Sequence, residues 1–158
     1  MNLQEEFLNF SEEKRKSVQF KLCENALEIL NKYFAETGEI SYVESIVGTF
    51  QIVDSKLPSD AFESAISAKD LRKTYHRYAE PISAMQSDDL VFPDHIEFAF
   101  YSIYNLFQKY VLHRKIDDWL IVNQALSAEL SHEKWNELLE NTIEETKWII
   151  ESKENFLN

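Results

Sequence analysis

Apolar residues return every three to four positions along most of this chain, the spacing that lines one face of an α-helix. Val18, Leu22, Ala26, Ile29, Leu30, Tyr33 and Phe34 form the first stripe. Ser11 precedes it as an N-cap, Glu12 and Glu13 occupy its first turn, and Gly38 ends it as a C-cap glycine would. A capping box of Ser41 and Glu44 opens a second predicted helix with the stripe Val43, Ile46, Val47, Phe50 and Val53. A third helical region starts at Pro58 and Ser59 and carries Ala61, Phe62, Ala65, Leu71, Tyr75, Tyr78 and Ile82. Pro81 should kink or end it, because proline has no amide hydrogen to give the ladder.

The segment Gln86 to Pro93 reads as a loop. Asp94 with Glu97 forms another capping box, opening a helix to about Leu112 that is apolar nearly all round and so belongs at the centre of a bundle. A shorter helix follows from about Ile116 to Glu129. Ser131 then caps a long terminal helix to about Lys153. Neither a repeat nor a linker interrupts the pattern. The prediction is all-α: one helical-bundle domain over residues 1–158, with about five to seven helices. Cys23, Phe34, Phe100, Ile103, Phe107, Trp119 and Leu138 are its expected core.

Composition supports this and adds charge. With 158 residues and 44% apolar content, the chain can bury a sizeable core. Only 2 Gly and 3 Pro argue against sandwiches, barrels and Gly-rich phosphate loops. Sixteen Lys and Arg stand against 28 Asp and Glu, a formal charge of −12. Phosphate would be repelled, so nucleic acid is not an expected partner. No apolar run is long enough to cross a membrane. The polar, acidic N-terminal segment is unlike a signal peptide, and the single cysteine cannot form an internal disulfide; together these predict a cytoplasmic protein.

The terminal helix concentrates the acid. At about 100° per residue, Glu133, Glu137, Glu140, Glu144 and Glu151 fall on one stripe, opposite Trp135, Leu138, Leu139, Thr142, Ile149 and Ile150. Such a stripe is commonly a solvated face. Here Lys134 and Lys147 are the main bases nearby, and Trp148 lies at the rim of the stripe, where it is either core or an exposed anchor. Acid beside an exposed aromatic suits a basic protein partner. The loop pair Asp88 and Asp89, followed by Leu90, Val91 and Phe92, has the same character, although Leu90 and Phe92 could instead tuck under the next helix as a staple. The candidate binding residues are therefore Glu137, Glu140, Glu144, Trp148, Asp88, Asp89 and Phe92.

Catalytic chemistry is not legible. His76, His95, His113 and His132 make neither HExxH nor the two Glu-x-x-His steps that a di-iron bundle needs, and one Cys is too few for a zinc cluster. No nucleophile elbow occurs. No metal or other cofactor is expected. Cys23 lies on the apolar side of its helix and reads as structural. Lys69, Arg72, Lys73, His76 and Arg77 form the one basic patch. Arg72 and His76, one turn apart, are similar to the Arg-x4-6-His motif of HEPN-type ribonucleases, but only three residues intervene.

A small, strongly acidic, helical domain without a catalytic motif resembles the helical immunity proteins that neutralise bacterial polymorphic toxins, including those of contact-dependent growth inhibition systems. The likeness covers the chain as a whole: its size, the helix around Leu22-Cys23-Glu24, and the capped helix at Pro93-Asp94-His95-Ile96-Glu97. It implies a non-catalytic cytoplasmic protein that binds one cognate toxin domain, often a basic nuclease, and blocks its active site. It carries over a role and no residue list. The competing readings are a HEPN-like RNA-cleaving domain using Arg72 and His76, and an adaptor for another basic protein.

Overall fold

The Ser11 hydroxyl accepts a hydrogen bond from the Lys14 amide at 3.2 Å and starts the longest of the central helices. That helix ends at Gly38, whose φ of 72° lets its N–H reach the Phe34 carbonyl. A computed structural model describes residues 2–67, 71–129 and 132–157 and, apart from 71–74, 132 and 149–157, their side chains. In chain order the elements are α1 (Leu3–Leu8), α2 (Glu12–Thr37), β1 (Ser41–Val43), β2 (Phe50–Ile52), α3 (Leu57–Ser67), α4 (Leu71–Gln86), α5 (Asp94–Tyr110), α6 (Asp118–Ser127) and α7 (His132–Leu157). The all-α expectation holds: seven helices and one two-stranded hairpin make up the described residues.

Helices α2 and α5 form the centre. α2 packs on α3, α5, α6 and α7, and α5 on α3, α4 and α6 as well. The core between them is strongly aromatic. Phe92 stacks on Phe100 with ring centroids 5.3 Å apart, and Phe34 meets both edge-on at 6.4 and 5.9 Å. The buried Tyr78 donates its hydroxyl to the Phe100 carbonyl at 2.9 Å, so its one polar atom is satisfied. Cys23 is fully buried with its thiol directed at the Ser102 carbonyl at 3.7 Å. Burial pushes that thiol up to about 12, which makes it inert at neutral pH. Of the expected core, Cys23, Phe34, Phe100, Ile103 and Phe107 are buried, while Trp119 and Leu138 are half-buried at its edge.

Four local expectations are corrected. Residues 41–53 form a hairpin, not a helix; Tyr42 pairs with Gln51 and Val43 with Phe50. Val43, Ile46, Val47, Phe50, Ile52 and Val53 are β-branched or aromatic, and Gly48, with φ 75°, supplies the reversal between them. Glu44 closes the turn instead of capping a helix: its carboxylate accepts the Ile46 and Val47 amides at 2.8 and 2.9 Å. The region from Pro58 is two helices, α3 and α4. Pro81 does not end α4, which runs five residues further to Gln86. Finally, α5 begins one position earlier than its expected capping box. Pro93 is the N-cap, with no side-chain bond, and Glu97 accepts the Phe92 amide instead. The predicted cap Ser131 lies outside the described residues. The short α1, capped by the Asn2 side chain on the Glu5 amide at 2.8 Å, was not legible in the periodicity.

Candidate functional site

Helix α7 buries Leu139, Thr142, Ile143 and Thr146 against α2 and α6. The two threonines return their hydroxyls to the helix, Thr142 to the Leu138 carbonyl at 2.7 Å and Thr146 to the Thr142 carbonyl at 2.8 Å, so no polar group is stranded on the buried face. Rotation by about 100° per residue then turns Glu133, Glu137, Glu140 and Glu144 to solvent. Trp148 is 69% exposed and lies on the surface beside that stripe. One base compensates the stripe in part: Lys147 bonds Glu6 of α1 and lies 3.5 Å from Glu144. Glu137 and Glu140 have no cation within ion-pair distance among the described residues.

The loop between α4 and α5 behaves differently. Asp88 is exposed, with a φ of 59° that aspartate tolerates better than most residues. Asp89 is half-buried and occupied. Its carboxylate accepts the Ser45 amide at 3.1 Å and the Ser45 hydroxyl at 3.0 Å, tying the loop to the hairpin. Phe92 is 4% exposed in the aromatic core, so it is no surface anchor. The apolar residue before the helix cap has tucked inward, the arrangement that pins the entry angle of α5. Glu97, Asp88 and Asp94 crowd the start of α5. Burial raises the Glu97 carboxyl, the Phe92 amide lowers it, and the two aspartates push it up again, for a net rise.

The predicted binding residues thus lie on two segments, α7 and the α4–α5 loop, with Phe92 in the core. Lys134, near the start of α7, lines a cleft of about 370 Å³ with Tyr33 of α2 and His95 of α5. Trp148 is 14 residues further along, about 21 Å at 1.5 Å per residue, at the end of α7 held by Glu6 of α1. The α4–α5 loop is bonded to the hairpin through Asp89.

That hairpin carries the surface that periodicity concealed. A helix over residues 41–53 would have turned Val43, Ile46, Val47 and Phe50 into a core. The observed hairpin leaves them 55, 90, 79 and 61% exposed, with Ile52 at 54%. Val43 and Phe50 are direct cross-strand partners, and Ile52 lies on the same face by alternation. The opposite face buries Tyr42, whose hydroxyl donates to the Glu80 carboxylate. The density of β-branched residues around Gly48 was the available signal.

Of the basic patch, Arg77 is engaged within the fold. Arg77 bonds Asp54 and lies 3.1 Å from Asp60, bracing α4 against the start of α3. His76 is exposed on α4. Lys69 and the side chains of Arg72 and Lys73 lie outside the described residues. Arg114, just past α5, spans to α4: its guanidinium stacks over Tyr75 at 5.0 Å and bonds Gln108 at 2.8 Å. Among the described residues no group of His, Cys, Asp and Glu is arranged to hold a metal, and no helix is long and apolar enough to cross a membrane.

Comparison with known proteins returns no match: no family model, no curated protein and no solved structure aligns significantly with this chain.

Proposed function

We propose that this chain is a non-catalytic acidic binding protein of the immunity type, which captures a basic toxin domain in the bacterial cytoplasm and covers its active site. The observation that carries this reading is the exposed carboxylate row Glu137, Glu140 and Glu144 with Trp148 exposed beside it. Like charges on successive turns disfavour a helix by a few tenths of a kcal/mol per pair. A cationic partner relieves that repulsion. Opposed charge also raises the association rate, and an aromatic side chain supplies desolvated contact area that slows release.

The test is co-expression with the product of an adjacent secreted-toxin gene. The expected result is restored growth and a stoichiometric complex whose association slows as salt rises. A complex with a basic protein that is not a toxin would support the adaptor reading. RNA cleavage by the chain itself, abolished in His76→Ala, would replace the proposal with the HEPN-like one.

A further inference from the structure

Five large apolar side chains, Val43, Ile46, Val47, Phe50 and Ile52, stand more than half exposed on a single hairpin. Scattered exposed apolar residues need no explanation, but contiguous ones mark interaction sites. Val91 extends the set. It is 73% exposed on the loop that Asp89 ties to Ser45.

The hairpin is also held in place before any partner arrives. The Glu44 amide bonds the Thr49 carbonyl at 2.9 Å and the Gly48 amide the Glu44 carbonyl at 2.8 Å. Glu44 fixes the tip amides, Asp89 holds Ser45 from one side, and Tyr42 is bonded to Glu80 beneath. A surface ordered in advance loses little conformational freedom on binding.

Charge selects the occupant. From Tyr33 to Ser55 the chain has no Lys or Arg, but has Glu36, Glu39, Glu44 and Asp54. From Tyr78 to Gln108, which contains the loop that braces the hairpin, there is again no Lys or Arg, but Glu80, Asp88, Asp89, Asp94 and Glu97. Of the cations that flank these segments, Arg77 is paired with Asp54 and Asp60. The apolar face thus emerges from two cation-free, acidic segments. A second copy would set those carboxylates against their own kind, and an anionic membrane would repel them. We propose that the outer face of the β1–β2 hairpin is the principal docking surface of this protein, and that it seats in an apolar groove edged by Lys and Arg side chains on a partner protein. The inference rests on the reading of the chain as an acidic binding protein and names a different surface from α7.

The test uses the full chain and a synthetic peptide of alternating Lys and Leu as a minimal cationic apolar face, with alternating Glu and Leu as control. The wild type should bind the Lys peptide at least tenfold more tightly than the Glu peptide. Combined Ile46→Ser, Val47→Ser and Phe50→Ser should lower that affinity at least tenfold with the helical far-UV spectrum unchanged. Ile66→Ser with Leu120→Ser, exposed positions elsewhere, should leave it alone. Independently of any variant, hydrogen exchange of the wild type with bound peptide should slow at residues 43–50. Unchanged affinity in the triple-Ser variant, or protection confined to α7, overturns the docking surface while leaving the acidic-binding reading in place. Equal affinity for both peptides overturns that reading too. A wild-type dimer dissolved by the triple-Ser change assigns the face to a second copy, and loss of binding to phosphatidylglycerol vesicles assigns it to a membrane; either result overturns the proposed partner.

Discussion

Asp89 and Ser45 join the two segments from which the exposed apolar face is built. One carboxylate oxygen takes both the Ser45 amide, at 3.1 Å, and the Ser45 hydroxyl, at 3.0 Å. The two residues are 44 positions apart, so this contact orders the hairpin tip against the start of α5. Asp89→Ala should therefore act locally. Amide exchange at residues 44–50 should accelerate while global stability falls by about 1 kcal/mol, the usual net worth of such a bond. Unchanged exchange at the tip would show that the turn is held by Glu44 alone.

Legibility in the sequence tracked how locally each feature is determined. Caps at Ser11 and Gly38 were read correctly because a cap depends on a few neighbouring residues. The central position of α5 was likewise visible in its nearly all-round apolarity. The hairpin was not, because Val43, Ile46, Val47 and Phe50 recur at intervals that suit a helix as well, and propensity was outweighed by periodicity. That error hid the surface, since a helix would have buried what the hairpin exposes. The Asp89 tie and the burial of Phe92 were hidden for another reason. The partners, Ser45 and Phe34, are distant in sequence, and whether a loop residue points in or out depends on such contacts. Trp148 was open between core and surface for the same cause; at its position on α7 the buried row passes through Ile143 and Thr146.

Phe92 separates a core role from a surface role by magnitude. It contacts the rings of Tyr33, Phe34 and Phe100 at centroid distances of 5.9, 6.4 and 5.3 Å. Phe92→Ala should cost about 3–5 kcal/mol in chemical denaturation, the range for a buried aromatic deletion. A surface anchor would lose well under about 1 kcal/mol. A small change would return Phe92 to the binding residues.

Cys23 gives a second measure of core integrity. With no exposed surface and its thiol raised to about 12, it should react with a thiol reagent only when the helices open. Labelling should be slow in the native state, fast in denaturant, and accelerated by Phe92→Ala in proportion to the lost stability. Fast native labelling would place the Cys23 face of α2 against solvent.

Asp118 should set part of the acid sensitivity of the fold. It sits where α2, α5 and α6 meet. Arg15 approaches its carboxylate at 2.8 Å, Lys109 bonds it, and Gln19 donates to it at 3.0 Å. Burial alone would raise this carboxyl, but the hydrogen bonds from Lys109, Gln19 and Arg15 hold it below the usual carboxylate range. A carboxyl lowered on folding contributes stability that is present above its unfolded value, about 3.9, and is lost as pH falls through the lower folded value. Asp118→Asn should thus be destabilised relative to wild type near neutrality, and the gap should close as pH falls below about 4. Urea midpoints of both proteins across that range provide the check. A gap that persists at low pH would mean that Asp118 matters for its shape rather than its charge.

The α7 stripe can be tested by reversing its charge. Glu137, Glu140 and Glu144 face water, and among the described residues only Glu144 of the three has a cation within ion-pair distance, Lys147 at 3.5 Å, which Glu6 also holds. Changing all three to Lys moves the net charge from −12 by six units to −6. The fold should survive, since exposed ion pairs are worth about 0–1 kcal/mol and Leu139 and Ile143 stay buried on the other side. Far-UV dichroism and the thermal midpoint should change little. Binding to a basic partner should weaken at least tenfold at low salt, about 1.4 kcal/mol, and mainly through slower association, because long-range attraction acts before contact. Trp148→Ala should instead speed dissociation, since an apolar anchor acts only once the surfaces have met. If both changes leave the kinetics untouched while Ile46→Ser, Val47→Ser and Phe50→Ser together abolish binding, α7 is a solvated face and recognition belongs to the hairpin alone.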